Sequence, residues 1–315
     1  MRIVTFGEAM VRFSPPPDSA IEKAEQFAVH TAGAEANVAA ALARLGLDSC
    51  WVSRLPRNAL GRRIAAKLRE HGVDASHIIW TDEGRVGLYF VEAGPPPRPP
   101  QVIYDRAHSA FSSIEANELD LGILDRADLL HLTGITPALS PSCSQVVAIL
   151  VHAAVDRRVP ISFDLNYRAK LWNPAEARAT LEPILPHVSL FFVSRADASV
   201  VLSLQGEPEA VVRELGARFP RATVVLSAGG DGAWAWDGSV HHQPVTAGAE
   251  VDRIGRGDAF CAGYIFGSLE GGTERGLAHG AALAALAQTY AGDITWSTAD
   301  DLRGVVEGNA PMHFR

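Results

Sequence analysis

From residue 129 onward, apolar runs of strand length alternate with longer stretches of helical spacing, and this alternation limits the fold more than any other feature. Runs at 129–132, 161–165, 190–193 and 223–226 read as strands, and 143–156, 174–185 and 207–219 as the helices between them. Such an order predicts an α/β protein with a mostly parallel sheet and helices on both faces. A hairpin near 233–245, a helix entered at Asp258 and a further helix over 274–290 follow. The N-terminal half is less regular. A strand at 3–6 ends at Gly7, and Pro15, Pro16 and Pro17 then break regular structure. A helix opens at 31–38 with Val38, Leu42 and Leu45 on one face, and 49–55 and 60–71 read as strand then helix. Two strands at 85–92 and 101–106, joined by a stiff proline-rich loop over 94–100, fall outside the main repeat. With no internal repeat or interdomain linker, residues 1–315 read as one domain.

Composition narrows the ligand. A net charge of -8 argues against a nucleic-acid-binding surface and leaves a small molecule as the expected partner. Three scattered cysteines suggest neither a disulfide framework nor a cysteine-rich metal site, and Cys261 reads as packing rather than as a nucleophile. The first residues lack the apolar core of a signal peptide and no apolar run reaches membrane-spanning length, so a cytoplasmic protein without a membrane partner is expected.

The chemistry concentrates in Asp252-Arg253-Ile254-Gly255-Arg256-Gly257-Asp258, a tight loop entering a helix. The first amides of a helix lack intrahelical partners and the helix dipole is positive there, so the loop can receive an anion. Gly255 and Gly257 permit close backbone approach. Asp258 would repel a phosphate but is well placed to take a proton from a hydroxyl attacking it. By itself the same run is equally a surface turn with Asp258 as an N-cap. A second glycine-rich turn, Ser227-Ala228-Gly229-Gly230-Asp231-Gly232, could lie against nucleotide phosphates or simply form a hairpin. There is neither a P-loop motif nor a dinucleotide fingerprint. Arg106, in the 101–106 strand and sharing a face with Tyr104, and Arg168, after Asp164 and Asn166, are candidates for gripping an anionic group, though either arginine alone reads as structural.

The Asp-x-x-Gly-x-Gly-Asp-Ala-Phe run from Asp252 to Phe260 resembles the signature of the ribokinase-like, or PfkB, sugar kinases. Together with Gly33-Ala34-Glu35-Ala36-Asn37, Gly87-Leu88-Tyr89, Tyr104-Asp105-Arg106, Leu132-Thr133-Gly134 and Asp164-Leu165-Asn166-Tyr167-Arg168, it is most similar to the 2-keto-3-deoxygluconate kinases. That resemblance spans nearly the whole chain. It implies a doubly wound α/β domain with a small β lid, here segments 11–30 and 85–110, that phosphorylates the sugar's 6-hydroxyl from ATP with Mg²⁺. It implies Asp258 as base and Gly255, Arg256, Gly257 and Asp258 as the anion-hole segment. Around the sugar acid it places Gly33, Ala34, Asn37, Tyr89, Tyr104, Arg106, Arg168 and Asp293, and around ATP it places Asn166, Ser194, Ser227, Gly229, Gly230, Gly232 and Ala233. Pairing of two chains through their lids is expected by the same analogy. The chain departs from the pattern at Ala32, at Ser194 and Asp197 in place of Asn-x-x-Glu, and at Arg256 in place of alanine. The alternatives to a sugar-acid kinase are a kinase of a neutral sugar or nucleoside, and a catalytically silent sugar-binding protein.

Overall fold

The computed structural model describes residues 1–94 and 97–308; Pro95 and Pro96 of the expected stiff loop lie outside the described residues. The chain begins with β1 (Arg2–Phe6), β2 (Met10–Ser14), β3 (Ala28–Ala32), α1 (Ala34–Arg44), β4 (Asp48–Pro56), α2 (Ala59–Glu70), β5 (Ile78–Thr81), β6 (Leu88–Glu92) and β7 (Gln101–Asp105). It continues through β8 (Leu129–Thr133), α3 (Ile135–Ala138), α4 (Pro141–Asp156), β9 (Ile161–Asp164), α5 (Pro174–Leu181), β10 (Leu190–Ser194), α6 (Arg195–Leu202) and α7 (Pro208–Arg218). It ends with β11 (Thr223–Ser227), β12 (Ala233–Trp236), β13 (Val240–Gln243), α8 (Arg256–Ala287) and α9 (Ala299–Val306).

Among the described residues these strands form two sheets. The larger has nine strands in the order β13-β12-β11-β10-β9-β8-β1-β4-β5, parallel except for the antiparallel edge β11-β12-β13. Its strands alternate between two cores, as side chains of a doubly covered sheet must. Val4, Phe6, Leu130, Leu132 and Phe163 pack with α4, whereas Ile3, Leu129, Phe192 and Val225 pack with α1 and α8. The smaller sheet, β3-β2-β6-β7, is built from the two segments expected to form a lid, but from four strands instead of the two legible in sequence. β2 and β3 are short and pair with each other antiparallel, so their identity rests on partners that a local pattern does not display.

Other boundaries moved for local reasons. The helix expected over 174–185 stops at Leu181: Glu182 still has helical backbone, but Pro183 supplies no amide to continue the hydrogen-bond ladder. Helix α6 was not anticipated. It is nucleated by Ser194, whose hydroxyl accepts from Asp197 N at 2.9 Å. The two helices expected after residue 257 form α8, broken at Gly271 and Gly272. Its halves pack closely at Gly263, where an added Cβ would sit 2.6 Å from the His279 carbonyl oxygen. No helix among the described residues is long and apolar enough to cross a membrane.

Candidate active site

In an open parallel sheet the loops after the strands gather at one edge and form the binding crevice. Here they bound a cavity of about 540 Å³, with the small sheet as its cover. Glu8 follows β1; Asn166 and Arg168 follow β9; Ser194 and Asp197 follow β10; Gly229 and Gly232 follow β11; and all line it. From the small sheet come Met10, Tyr89, Val102 and Tyr104, and from the start of α8 come Gly255, Arg256, Gly257 and Asp258. The structure thus brings together every residue expected at the site except Gly230, which does not line the cavity.

The α8 entrance has the geometry an anion requires. Gly255 takes φ 80°, and a Cβ there would lie 2.0 Å from the Asp293 carbonyl oxygen, so the position admits only glycine. The first intrahelical bond runs from Ala259 N to Gly255 O at 2.9 Å, which leaves the amides of Arg256, Gly257 and Asp258 ahead of it. A Cβ on Gly257 would meet nothing within 4 Å, so this turn faces open space.

Asp258 is surrounded by protein yet partly reachable from the cavity. Burial pushes its carboxyl up to about 7, against the opposing influence of the Asn37 amide and the Arg168 charge. Asn37 Nδ2 donates to Asp258 Oδ2 at 2.7 Å, while Asn37 Oδ1 accepts from Gly33 N at 3.3 Å. Asn37, expected to contact sugar, therefore also orients the candidate base. Gly33 allows close approach as well, since a Cβ there would strike the Glu8 carbonyl oxygen at 2.2 Å.

Asp164 is pushed up to about 8, first by burial and then by the charges of Asp258 and Asp197. Asn166 Nδ2 donates to it at 2.9 Å from just beyond the end of β9, where Asn166 turns left-handed at φ 43°. Asp197 is also raised, chiefly by burial. Neither carboxylate has a cationic side chain within 4.0 Å among the described residues. Such uncompensated acid is the chemistry that suits a divalent cation.

The two arginines differ in how they are engaged. Arg106 is not a free cation: its Nε donates to Glu8 Oε2 at 2.9 Å and Nη2 donates to the same oxygen, because a nearly buried Glu8 needs a counter-charge. Arg168 is exposed and bonds only its neighbour's carbonyl, Tyr167 O, at 3.4 Å. Asp293 is also engaged, accepting from Tyr89 Oη at Oδ1 and from Arg12 Nη1 at Oδ2. Arg12 and Glu8 escaped the sequence reading. The only signal for Arg12 was a charge inside the apolar run Met10-Val11-Arg12-Phe13, with its acids 240 and 281 residues away.

A glycine-framed helix entrance, a buried carboxylate beside it and a crevice roofed by a small sheet define a phosphotransferase site. Residues 1–300 match the pfkB family carbohydrate kinase model, and the chain belongs to that family of ATP-dependent sugar kinases. It is 42% identical over 308 residues to a 2-dehydro-3-deoxygalactonokinase of Haloferax volcanii, covering 97% of this chain and 96% of the relative. It is 33% identical to a 2-dehydro-3-deoxygluconokinase of Bacillus subtilis, covering 85% and 83% of the two chains. The crystal structure of a 2-dehydro-3-deoxygluconokinase from Thermotoga maritima superposes with a TM-score of 0.92 at 34% identity, covering 98% of each chain.

The raised carboxylates have a sign that stability measurements can read. Asp164 holds its proton more tightly in the folded protein, to about 8, than in the unfolded chain. The stability this confers is complete below the unfolded value near 4 and is lost as pH rises through about 8. Asp164→Asn removes the ionisation, so its melting temperature should exceed that of the wild type at about pH 8 and fall less steeply from about pH 5. Parallel melting curves for the two proteins across that range would count against a raised Asp164.

Proposed function

We propose that this chain is an ATP-dependent kinase of 2-keto-3-deoxy sugar acids, transferring the phosphoryl group to the 6-hydroxyl of 2-keto-3-deoxygluconate. The observation that carries the reading is Arg168, a cavity-lining guanidinium without a carboxylate partner within 4.0 Å among the described residues. A substrate carboxylate would complete it with a charge-assisted pair. The names of the similar proteins from Haloferax volcanii, Bacillus subtilis and Thermotoga maritima support the same substrate class. The first of these also makes the galactonate epimer a direct competitor of the gluconate form.

In this mechanism Asp258 accepts the proton of the attacking hydroxyl. The hydroxyl oxygen forms the new bond to the γ-phosphorus, the bond to the bridging oxygen breaks, and its electron pair leaves with ADP. The amides from Gly255 to Asp258 and the positive end of α8 offset charge on the moving group. A carboxyl whose proton affinity burial has raised toward neutral pH suits a base that must both take and release a proton. Asp164 and Asp197 are the residues that would hold Mg²⁺, which when bound supplies charge compensation to the triphosphate.

Asn166, Ser194, Ser227, Gly229, Gly232 and Ala233 line the cavity and are the residues proposed for the nucleotide. Arg256 is exposed, lines the cavity and reaches only Gln288 Oε1 at 3.4 Å, so we assign its guanidinium to ATP phosphate. One observation favours a neutral sugar or nucleoside instead: the charge of Arg106 is already answered by Glu8. ADP release measured across 2-keto-3-deoxygluconate, its galactonate epimer, fructose, ribose and nucleosides separates these readings. Sugar binding without ADP release would mark a silent binding protein.

Asp258→Asn should fold normally and lose turnover by roughly 10² to 10⁴-fold with little change in ATP affinity. Near-normal turnover would remove Asp258 from the role of base. Arg168→Ala should lose roughly ten- to a hundredfold in kcat/KM on the sugar acid, the equivalent of one charge-assisted bond, and far less on a neutral hexose. Equal losses on both sugars would detach Arg168 from the carboxylate. Arg256→Ala should raise the KM for ATP, read by steady-state kinetics, whereas a gain in turnover would show that the side chain obstructs the hole.

A further inference from the structure

We propose that Arg12 is a positioning residue that joins the small sheet covering the cavity to the anion-hole loop and so holds the α8 amides in register for phosphoryl transfer. Arg12 lies on β2 and is only 3% exposed, so its permanent charge must be answered within the protein. Two acids do so: Nη2 donates to Asp252 Oδ2 at 2.7 Å and Nη1 to Asp293 Oδ2 at 3.0 Å. The third nitrogen, Nε, donates to Ser14 Oγ at 2.9 Å.

Each acid continues the linkage into the site. Asp252 accepts from Ile254 N and from Gly292 N, both at 3.1 Å, so the same carboxylate that meets Arg12 shapes the turn leading to Gly255. Asp293 presents its carbonyl oxygen where the missing Gly255 side chain would stand. It also accepts from Tyr89 Oη, and Tyr89 is the residue paired opposite Arg12 between β2 and β6. Two adjacent strands of the cover therefore descend on the two acids that frame the loop. Arg12 touches neither the reacting hydroxyl position at Asp258 nor the first-turn amides, so its influence passes through Asp252 and Asp293.

A planar guanidinium can bridge two carboxylates at once, and a lysine ammonium at the end of a flexible stem does not reproduce that fork. The inference rests on the kinase activity proposed above, and the test separates the two. Wild-type ADP release is measured on the sugar that the panel selects, beside Arg12→Lys, Asp252→Asn and the double variant. Absence of release by the wild type would fault the kinase reading. Release by the variants within about twofold of the wild type would overturn the role of Arg12. The expected result is a fall in kcat of about tenfold or more, with dissociation constants for ATP and sugar changed by less than about threefold. The double variant should be no slower than the slower single one, because both changes cut the same linkage. Losses that multiply, or that appear only in binding, would also overturn it. Should Arg12→Lys fail to fold, Asp252→Asn keeps the Arg12 to Asp293 pair and decides alone, by the same comparison of kcat with binding.

Discussion

The site depends on how the protein keeps several carboxylates out of water at the edge of one sheet. A buried carboxylate needs a counter-charge, hydrogen-bond donors or a proton, and each solution occurs here. Glu8 has Arg106, and Asp293 has Arg12 and Tyr89. Glu35 receives hydroxyl bonds from Thr133 and Thr136 at 2.8 and 2.7 Å while burial raises its proton affinity. Asp258 and Asp164 receive one side-chain amide each and keep much of the strain as raised proton affinity. The first group forms scaffold. The second is the group to which the proposed function assigns the chemistry, because a carboxylate without a compensating cation is ready to take a proton or a metal ion.

This division follows from the fold. The scaffold pairs join the small sheet to the large one: Arg106 follows β7 and reaches Glu8 after β1, and Arg12 on β2 reaches Asp293 after α8. Asp164 instead ends β9 and Asp197 follows the neighbouring parallel strand β10, and among the described residues no strand of the cover places a cation within 4.0 Å of either. The side of the crevice toward the small sheet is thereby neutralised. The side toward β9 and β10 stays acidic and open to a cation.

How much of this could be read from the chain varies with the range of the interaction. The parallel repeat from β8 to β11 was legible, because buried strands and amphipathic helices carry their pattern within a few residues. The Asp258 loop was legible for the same reason: two glycines, an acid and a helix lie within one short run. Helix α6 and strands β2 and β3 were not, since a serine cap and two short strands resemble loop until a partner is seen. The partners of Arg106 and Asp293 lay 98 and 281 residues away, and no local pattern announces which acid an arginine will meet. Hence the positions that line the cavity were largely anticipated, while the partners their side chains meet were not.

Arg256 stands where the family pattern has alanine, and a large cation there can either bind phosphate or obstruct the hole. Its placement bears on that choice. Arg256 is the first residue of α8, so its amide can face an anion while its side chain leaves the turn. Its guanidinium is drawn toward Gln288, whose backbone oxygen also receives the amides of Val251 and Asp252 at 2.8 and 3.1 Å. The space over Gly257 stays open, with nothing within 4 Å of where a Cβ would be. A cation beside an open set of amides adds attraction for phosphate, which is the physical ground for the Arg256 role proposed above.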